Sequence, residues 1–342
     1  MNNHDSKKPK VCVIMPVYNG EKTLKYALAS LLRQSYQNWI CVIVNDGSID
    51  DTRLILDSLD DTRFKVYHLE RNRGRGYARD IALSHAEGDY LCYLDADDML
   101  HRDKIQIQVD YMEQHPDIRL VTCGCVRIKE DMTACGIANC SLLELKSYRY
   151  GDPMPMILPA SMVRLSMAMK YSYDSFLDVG EDFDYFSRYC DKGKVISLPN
   201  PYYFYMTGNV TTKKLFYYQW NSLRVGVSML RNKIPFKGIK YIAVRLAKIA
   251  VYSVLIPIFG TDRIVNEKRY KKESIMVNFD DYNAEYRKIK QVVFERMGGV
   301  IHEWLIRMFC VSTPSTTLIP RESFNRERMP ISACSTLSTL AA

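Results

Sequence analysis

Apolar positions up to residue 126 keep switching period, from the two of a strand to the 3.6 of an amphipathic helix. Residues 11–17 (Val-Cys-Val-Ile-Met-Pro-Val) predict a strand, 21–34 a helix, 40–45 a strand and 51–59 a helix. The alternation continues with a strand at 64–69, a helix at 75–86, a strand at 90–94, a helix at 102–114 and a strand at 120–126. Strands alternating with helices in this way predict an α/β fold, a mostly parallel central sheet with flanking helices. Ligands of such sheets gather at the carboxyl ends of the strands.

From 131 to 175 the pattern breaks into a Met- and Pro-rich stretch that includes Asp152-Pro153-Met154-Pro155 and reads as loops with short elements. A helix is expected from Glu181 and a short strand at 195–198, and beyond Thr212 the chain turns strongly helical. The expected division is therefore a flexible N-terminus at 1–9, an α/β domain at 10–212, a helical region at 213–310 and a disordered tail at 311–342. That tail is rich in Ser, Thr and Pro and has no periodicity.

Within the helical region, 236–259 is apolar but broken by Lys237, Lys240, Arg245 and Lys248. At about 100° per residue those four fall on one side of a helix, with Ile242, Val244, Leu246 and Ile249 opposite. Two readings stay open: a basic amphipathic helix lying in the headgroups of an anionic leaflet, or a helix packing its apolar side on a core with its basic side in water. The uninterrupted apolar stretch, 249–260, is too short to cross a bilayer. Residues 286–309 repeat the mixture and offer a second helix able to dock beside the first.

Composition narrows the partners. With 47% hydrophobic and 25% charged residues among 342, most of the chain is globular. The formal charge of +8 favours an anionic partner: nucleic acid, an anionic lipid surface or a phosphorylated substrate. No zinc-finger, basic-zipper or RNA-motif pattern is present, so no nucleic-acid partner is expected. The start, Met1 to Lys10, is polar and basic with no apolar run after it, which predicts a cytoplasmic protein. The ten cysteines are scattered, as buried thiols in a reducing compartment are, and Cys123-x-Cys125 with Cys135 and Cys140 lacks the paired spacing of a zinc site.

Candidate chemistry sits at the predicted strand ends. The first strand runs into Pro16-Val17-Tyr18-Asn19-Gly20, a turn that brings backbone groups and one aromatic ring to the sheet edge. The second ends in Asn45-Asp46-Gly47-Ser48-Ile49-Asp50. Ser48 or Asp50 is a natural helix N-cap, which leaves Asp46 to accept hydrogen bonds from a base or ribose. The fourth ends in Asp95-Ala96-Asp97-Asp98. In extended chain Asp95 and Asp97 point the same way, so both face one ligand, such as a divalent cation shared with phosphate oxygens. The bland alternative is an acidic turn capping the next helix. Glu181 and Asp182 open a helix whose N-terminal dipole keeps them ionised, which suits a general base and equally suits simple capping. The stretch Arg71-Asn72-Arg73-Gly74-Arg75-Gly76 lacks the third glycine of a dinucleotide loop; its arginines either support a diphosphate or stand solvated.

Together these pieces resemble the bacterial family 2 glycosyltransferases of GT-A fold. The resemblance covers roughly 10–212: the strand into Pro16-Val17-Tyr18-Asn19, Gln34-Ser35-Tyr36-Gln37-Asn38-Trp39 leading to Asn45-Asp46-Gly47-Ser48, Asn72-Arg73-Gly74 with Ala78-Arg79, the D-x-D of Asp95 and Asp97, and Glu181-Asp182. It implies a Rossmann-like GT-A domain followed by a helical C-terminal region. It implies an inverting transfer from a nucleotide sugar, a UDP-sugar or similar, to a hydroxyl of a glycan or lipid-linked acceptor in surface polysaccharide synthesis, at the inner face of the membrane. Pro16, Tyr18 and Asp46 lie around the base in such a site, with Arg79 among the donor-binding residues and Asp95 near the ribose. Asp97 ligates Mg²⁺ or Mn²⁺ on the diphosphate, and Asp182 is the base. Two departures stand out. Asp80 replaces the usual Asn after Ala78-Arg79, and Phe204-Tyr205-Met206-Thr207 stands where the family often has Tyr-Arg-x-His.

Two competing readings remain. A nucleotidyltransferase that makes nucleotide sugars has a Gly- and Arg-rich loop after the first strand, where this chain has Pro16-Val17-Tyr18-Asn19. A catalytically silent scaffold at the membrane surface would keep the fold and lose the chemistry.

Overall fold

The computed structural model describes residues 8–139, 142–152, 154, 158–266, 281–293 and 295. The expected tail at 311–342, most of the expected flexible start, residues 296–309 and Cys140 lie outside these residues.

Strands β1 (Val11–Val17), β2 (Trp39–Asn45), β3 (Phe64–His68) and β4 (Tyr90–Tyr93) are parallel and lie side by side in the order β3-β2-β1-β4. β1 and β4 are buried along their whole length, as strands covered on both faces must be. Alternation along β1 sorts its side chains. Val11, Val13 and Met15 pack with Leu24, Leu28 and Leu31 of α1 (Leu24–Leu32) and with Ile105, Val109 and Met112 of α4 (Lys104–Gln114). Cys12 and Ile14 pack on the opposite face with Ala78 and Ala82 of α3 (Arg75–Ser84) and with Tyr185, Phe186 and Tyr189 of α6 (Glu181–Cys190). Helix α2 (Thr52–Asp57) connects β2 to β3.

Beyond β4 the sheet is mixed. The short β9 (Met162–Arg164) inserts antiparallel between β4 and β6 (Ile118–Ile128), and β6 then pairs in parallel with β10 (Lys194–Met206). Two-residue β5 (Met99–Leu100) closes the edge against β10, while β7 (Ala134–Ala138) and β8 (Leu143–Leu145) pair antiparallel with β6 and β10. This is the expected GT-A-like sheet, with three short strands, β7, β8 and β9, drawn from the irregular stretch at 131–175. A four-residue helix, α5 (Leu165–Ala168), follows β9. Cys123 and Cys125 are core residues of β6, and Cys135 donates to the Arg127 carbonyl at 3.5 Å. Among the described residues no group of His, Cys, Asp or Glu gathers as a metal cage.

Helices α7 (Thr212–Arg231) and α8 (Pro235–Thr261) form an antiparallel hairpin. They touch where Gly226 meets Gly238 and Ile242: a Cβ on Gly226 would lie 2.4 Å from Ile242 Cγ1, and one on Gly238 would lie 2.8 Å from the Gly226 carbonyl oxygen. The arrangement of α8 disagrees with one of the two open readings, an apolar side packed on a core with the basic side in water. Phe236, Ile239, Val251, Val254 and Ile258 are exposed. Arg245 turns inward to Gln219 (3.3 Å), and Lys237 pairs with Asp152 (2.7 Å). The basic residues do not form one solvated side; Lys240 and Lys248 stay in water among the apolar residues. The helix is also long and apolar enough to cross a membrane by length and composition, which counting only 249–260 had excluded, and 6% of its most apolar window is buried.

Of the stretch 286–309 expected to offer a second helix, the described residues include 286–293, which belong to helix α9, residues 281–293. It returns to the α/β layers, where Glu285 pairs with Arg33 of α1 (3.1 Å), Tyr286 meets Tyr26 and Tyr282 packs edge-on against Phe204 of β10.

Candidate active site

β1 and β2 pair in register from Val11↔Trp39 to Val17↔Asn45, so they end level. The loops beyond them are stitched together. Asn19 N donates to Ser48 Oγ (2.9 Å), Ile49 N donates back to Asn19 Oδ1 (3.0 Å), and Gly20 N donates to Thr52 Oγ1 (2.7 Å). Ser48 therefore holds the β1 turn and does not cap α2; Asp50 receives Thr52 N at 3.0 Å. Pro16 and Tyr18 come to the wall of an open cavity of ≈ 420 Å³, and the Tyr18 ring is 47% exposed there.

Asp46 also lines that cavity, but it is 3% exposed and already occupied. Its two oxygens accept from the backbone N–H groups of Arg73 (2.7 Å) and Gly74 (2.9 Å), fixing the loop that leads into α3. Burial pushes its carboxyl above the usual range, against the pull of those two donors. Gly47, with φ 65°, lets the two loops meet: a Cβ there would sit 2.4 Å from the Arg71 carbonyl carbon.

After β4 the chain does not stay extended. Asp98 N bonds to the Asp95 carbonyl (3.0 Å), so Asp95 to Asp98 form a turn, and the strand alternation argument for Asp95 and Asp97 fails. Both residues nevertheless line the cavity. Asp95 gives Oδ1 to Arg79 Nη2 at 2.8 Å. Asp97 is exposed into the cavity, and its carboxyl is pushed up to about 6, first by loss of water around it and then by Asp95. Asp98 is buried and structural, accepting from Tyr203 OH and Met206 N at 2.7 Å each. This brings Tyr205 and Met206, at the end of β10, to the cavity, while Thr207, at the histidine's place in Tyr-Arg-x-His, is buried.

Arg79 does not line the cavity. It is 3% exposed, with Nη1 on Glu181 Oε1 (3.0 Å) and Nη2 on Asp95, so it ties the β4 turn to the start of α6. Arg75, one turn earlier on α3, does line the cavity, and its Nε lies 3.1 Å from the same Glu181 oxygen. Glu181 is 1% exposed, and its Oε2 has no hydrogen-bond partner among the described residues. Asp182 is half-buried next to Glu181, with Oδ1 accepting from Phe183 N (2.7 Å), and it is not among the residues lining the cavity. Asp178 is, and it pairs with Arg224 of α7 at 2.7 Å.

Pro16, Tyr18, Asp46, Asp95 and Asp97 thus meet around one cavity, while Arg79 and Asp182 stand behind or beside it. Sequence reasoning passed over Asp178 and Tyr203. It named Asp98 only as part of the acidic run, and Arg75 only among the arginines of 71–76 that either support a diphosphate or stand solvated.

The family model for Glycosyl transferase family 2 matches residues 12–151. Residues 12–151 belong to glycosyl transferase family 2. The chain is 39% identical over 109 residues to an uncharacterized glycosyltransferase of Haemophilus influenzae, covering 31% of this chain and 44% of that one. It is 36% identical over 102 residues to the UDP-Glc:alpha-D-GlcNAc-diphosphoundecaprenol beta-1,3-glucosyltransferase WfgD of Escherichia coli, covering 30% and 40%. The match thus spans less than half the length of either relative. In fold, the chain resembles TarS 1-349 of S. aureus, with TM-score 0.53 at 19% identity over 76% of this chain and 77% of that one. TarS 1-349 has also been solved in complex with UDP, a structure matched at TM-score 0.50 and 18% identity over the same shares.

Proposed function

We propose that this chain is an inverting glycosyltransferase that moves a sugar from a UDP-sugar or similar donor to a hydroxyl of a glycan or lipid-linked acceptor, in surface polysaccharide synthesis. The observation that carries the reading is the convergence of the β1, β2 and β4 ends and the start of α3 on one cavity, with Asp97 open to it, inside the family 2 segment. The UDP bound by TarS supports a uridine nucleotide, and the name of WfgD supports an acceptor on a lipid diphosphate.

In this reading Tyr18 and Pro16 flank the base, and Asp46 holds the loop beside it. Asp95 stands near the ribose with Oδ1 committed to Arg79. The residues fit a divalent cation of limited kind. Asp97 is one free carboxylate without the acidic partners of a protein cage, which suits Mg²⁺ or Mn²⁺ held jointly with phosphate oxygens. A cation held by Asp97 would supply positive charge against the departing diphosphate. Asp182 takes the proton of the acceptor hydroxyl as its oxygen bonds to the anomeric carbon. The bond from that carbon to the diphosphate breaks, its electron pair leaving with the nucleotide. One displacement inverts the configuration.

Peripheral contact of α8 with the inner leaflet completes the proposal. A screen of nucleotide sugars for metal-dependent binding and hydrolysis tests the core of it. Asp97→Ala is expected to lose metal-dependent donor binding, and Asp182→Asn to keep donor binding while losing transfer about 10²- to 10⁴-fold. Undiminished metal-dependent binding by the first variant overturns the cation assignment, and unchanged turnover by the second overturns the base.

A further inference from the structure

The cavity holds one cation that no part of that proposal uses. Arg75 occupies the first position of α3, and among the described residues its guanidinium pairs only with Glu181, through Nε at 3.1 Å. The side chain is 56% exposed, and Arg75 lines the same cavity as Asp97. Glu181 cannot follow it into the cavity. It is 1% exposed, anchored at the start of α6, and shares its Oε1 with the buried Arg79.

Asp46, Asp95, Asp97 and Asp178 also line the cavity, and the wall around Arg75 is the part that suits an anion. Gly74 caps α3 without a side chain, and Gly74, Arg75 and Ala78 all face the cavity, so the positive end of a ten-residue helix opens there. Asn72 lines the same wall, and its side chain holds Gly74 N at 3.1 Å. The loop that delivers Arg75 is also pinned from below, because Asp46 binds the backbone N–H groups of Arg73 and Gly74. A guanidinium on a fixed loop, with one edge held by a buried carboxylate, presents its remaining donors with little freedom to lose.

We propose that Arg75 is the protein's own cation for the donor diphosphate, positioned by Glu181. It binds the phosphate oxygens from the wall of the cavity that Asp97 also lines and stabilises the charge they gain as the sugar leaves. Arg79, the neighbouring arginine, cannot do this, since it is buried behind the cavity wall with its terminal nitrogens donating to Asp95 and Glu181.

The inference rests on the donor reading of the cavity, and calorimetry separates the two. UDP, GDP, CDP and ADP are titrated into the full chain with EDTA and with Mn²⁺, each beside its free nucleoside. Wild type is expected to prefer one diphosphate over its nucleoside even in EDTA. Arg75→Gln is expected to weaken that diphosphate about 10- to 100-fold and leave the nucleoside unchanged, with Arg75→Lys between them. Glu181→Gln is expected to weaken the diphosphate in the wild-type background and to add nothing in Arg75→Gln, a non-additivity that a merely structural role does not produce. Diphosphate binding by Arg75→Gln equal to wild type overturns the role of Arg75 and leaves the donor reading standing. Additive losses overturn the positioning role of Glu181. If wild type binds none of the four diphosphates, the donor reading falls and the inference with it.

Discussion

Asp97 keeps its charge in a cavity that resists it. Its carboxyl is pushed up to about 6 from an ordinary 3.8, so between those values the folded chain binds a proton that the unfolded chain has released. The group therefore disfavours folding increasingly as pH rises through that window, and its neutral form prevails below it. A cation needs the charged form. Manganese-dependent UDP binding is expected to strengthen from pH 5 to pH 7.5, with roughly tenfold lost at pH 5 where about one carboxylate in ten is ionised. Asp97→Asn is expected to flatten the profile and, at pH 7.5, to melt no lower than wild type, by parallel titrations and thermal denaturation. A wild-type profile as flat as the variant's contradicts this account. Several residues of the candidate site were legible because they follow the carboxyl ends of readable strands, where ligands of such sheets gather: Pro16, Tyr18, Asp46, Asp95 and Asp97. The roles of the others were not, because burial decided them. Arg79 and Arg75 lie one helical turn apart and look alike in sequence, yet one is sealed between two carboxylates and the other faces the cavity. Asp98 reads as part of an acidic run, although Tyr203, more than a hundred residues away, claims it.

At the scale of elements, two devices set the geometry. The chain Asp95, Arg79, Glu181, Arg75 joins the β4 turn, α3 and α6 in alternating charge, so α6 cannot shift without disturbing the cavity wall. The α7–α8 crossing depends on missing side chains. Gly226→Ala gains about 0.5–1 kcal/mol of helix preference, but its Cβ would meet Ile242 Cγ1 at 2.4 Å, an overlap that costs about 1–3 kcal/mol. The variant is expected to unfold at lower urea than wild type, and Ile242→Ala in the same chain to recover much of the loss. Equal midpoints for Gly226→Ala and wild type remove the crossing as a constraint. Most helices and the four parallel strands were readable from period alone. β9 was not, since three residues carry no period, and neighbours on both sides hold it in the sheet. β10 was read only as far as Leu198 because Pro199 and Pro201 follow. The structure carries it to Met206 by shifting register between Leu198 and Tyr203, where prolines interrupt the ladder.

For the whole molecule, the question is what covers α8. A run of exposed apolar residues from Phe236 to Ile258, about 33 Å at 1.5 Å per residue, is more than a monomer normally leaves to water. Its inner side is committed to α7 through Gly238, Ile242 and Arg245, so lipid can reach only the outer side, and lying in the interface fits better than crossing. Lys240 and Lys248 on that exposed side, with a net charge of +8, favour an anionic surface. The hairpin also touches the cavity wall, where Arg224 of α7 pairs with Asp178, and its open end is closed by Thr212 against Thr261. A bilayer under α8 would thus lie alongside the cavity wall, on the side from which the proposed lipid-linked acceptor would arrive. Full-length protein is expected to sediment with phosphatidylglycerol vesicles at low salt and to be released as salt rises. Phe236→Asp with Val254→Asp is expected to abolish sedimentation. Lys240→Glu with Lys248→Glu is expected to remove the preference over phosphatidylcholine, and UDP binding is expected to stay intact in both. Protein that remains in the supernatant with anionic vesicles at low salt removes the membrane from the proposal, and leaves the exposed side of α8 to a protein partner or another segment of the same chain.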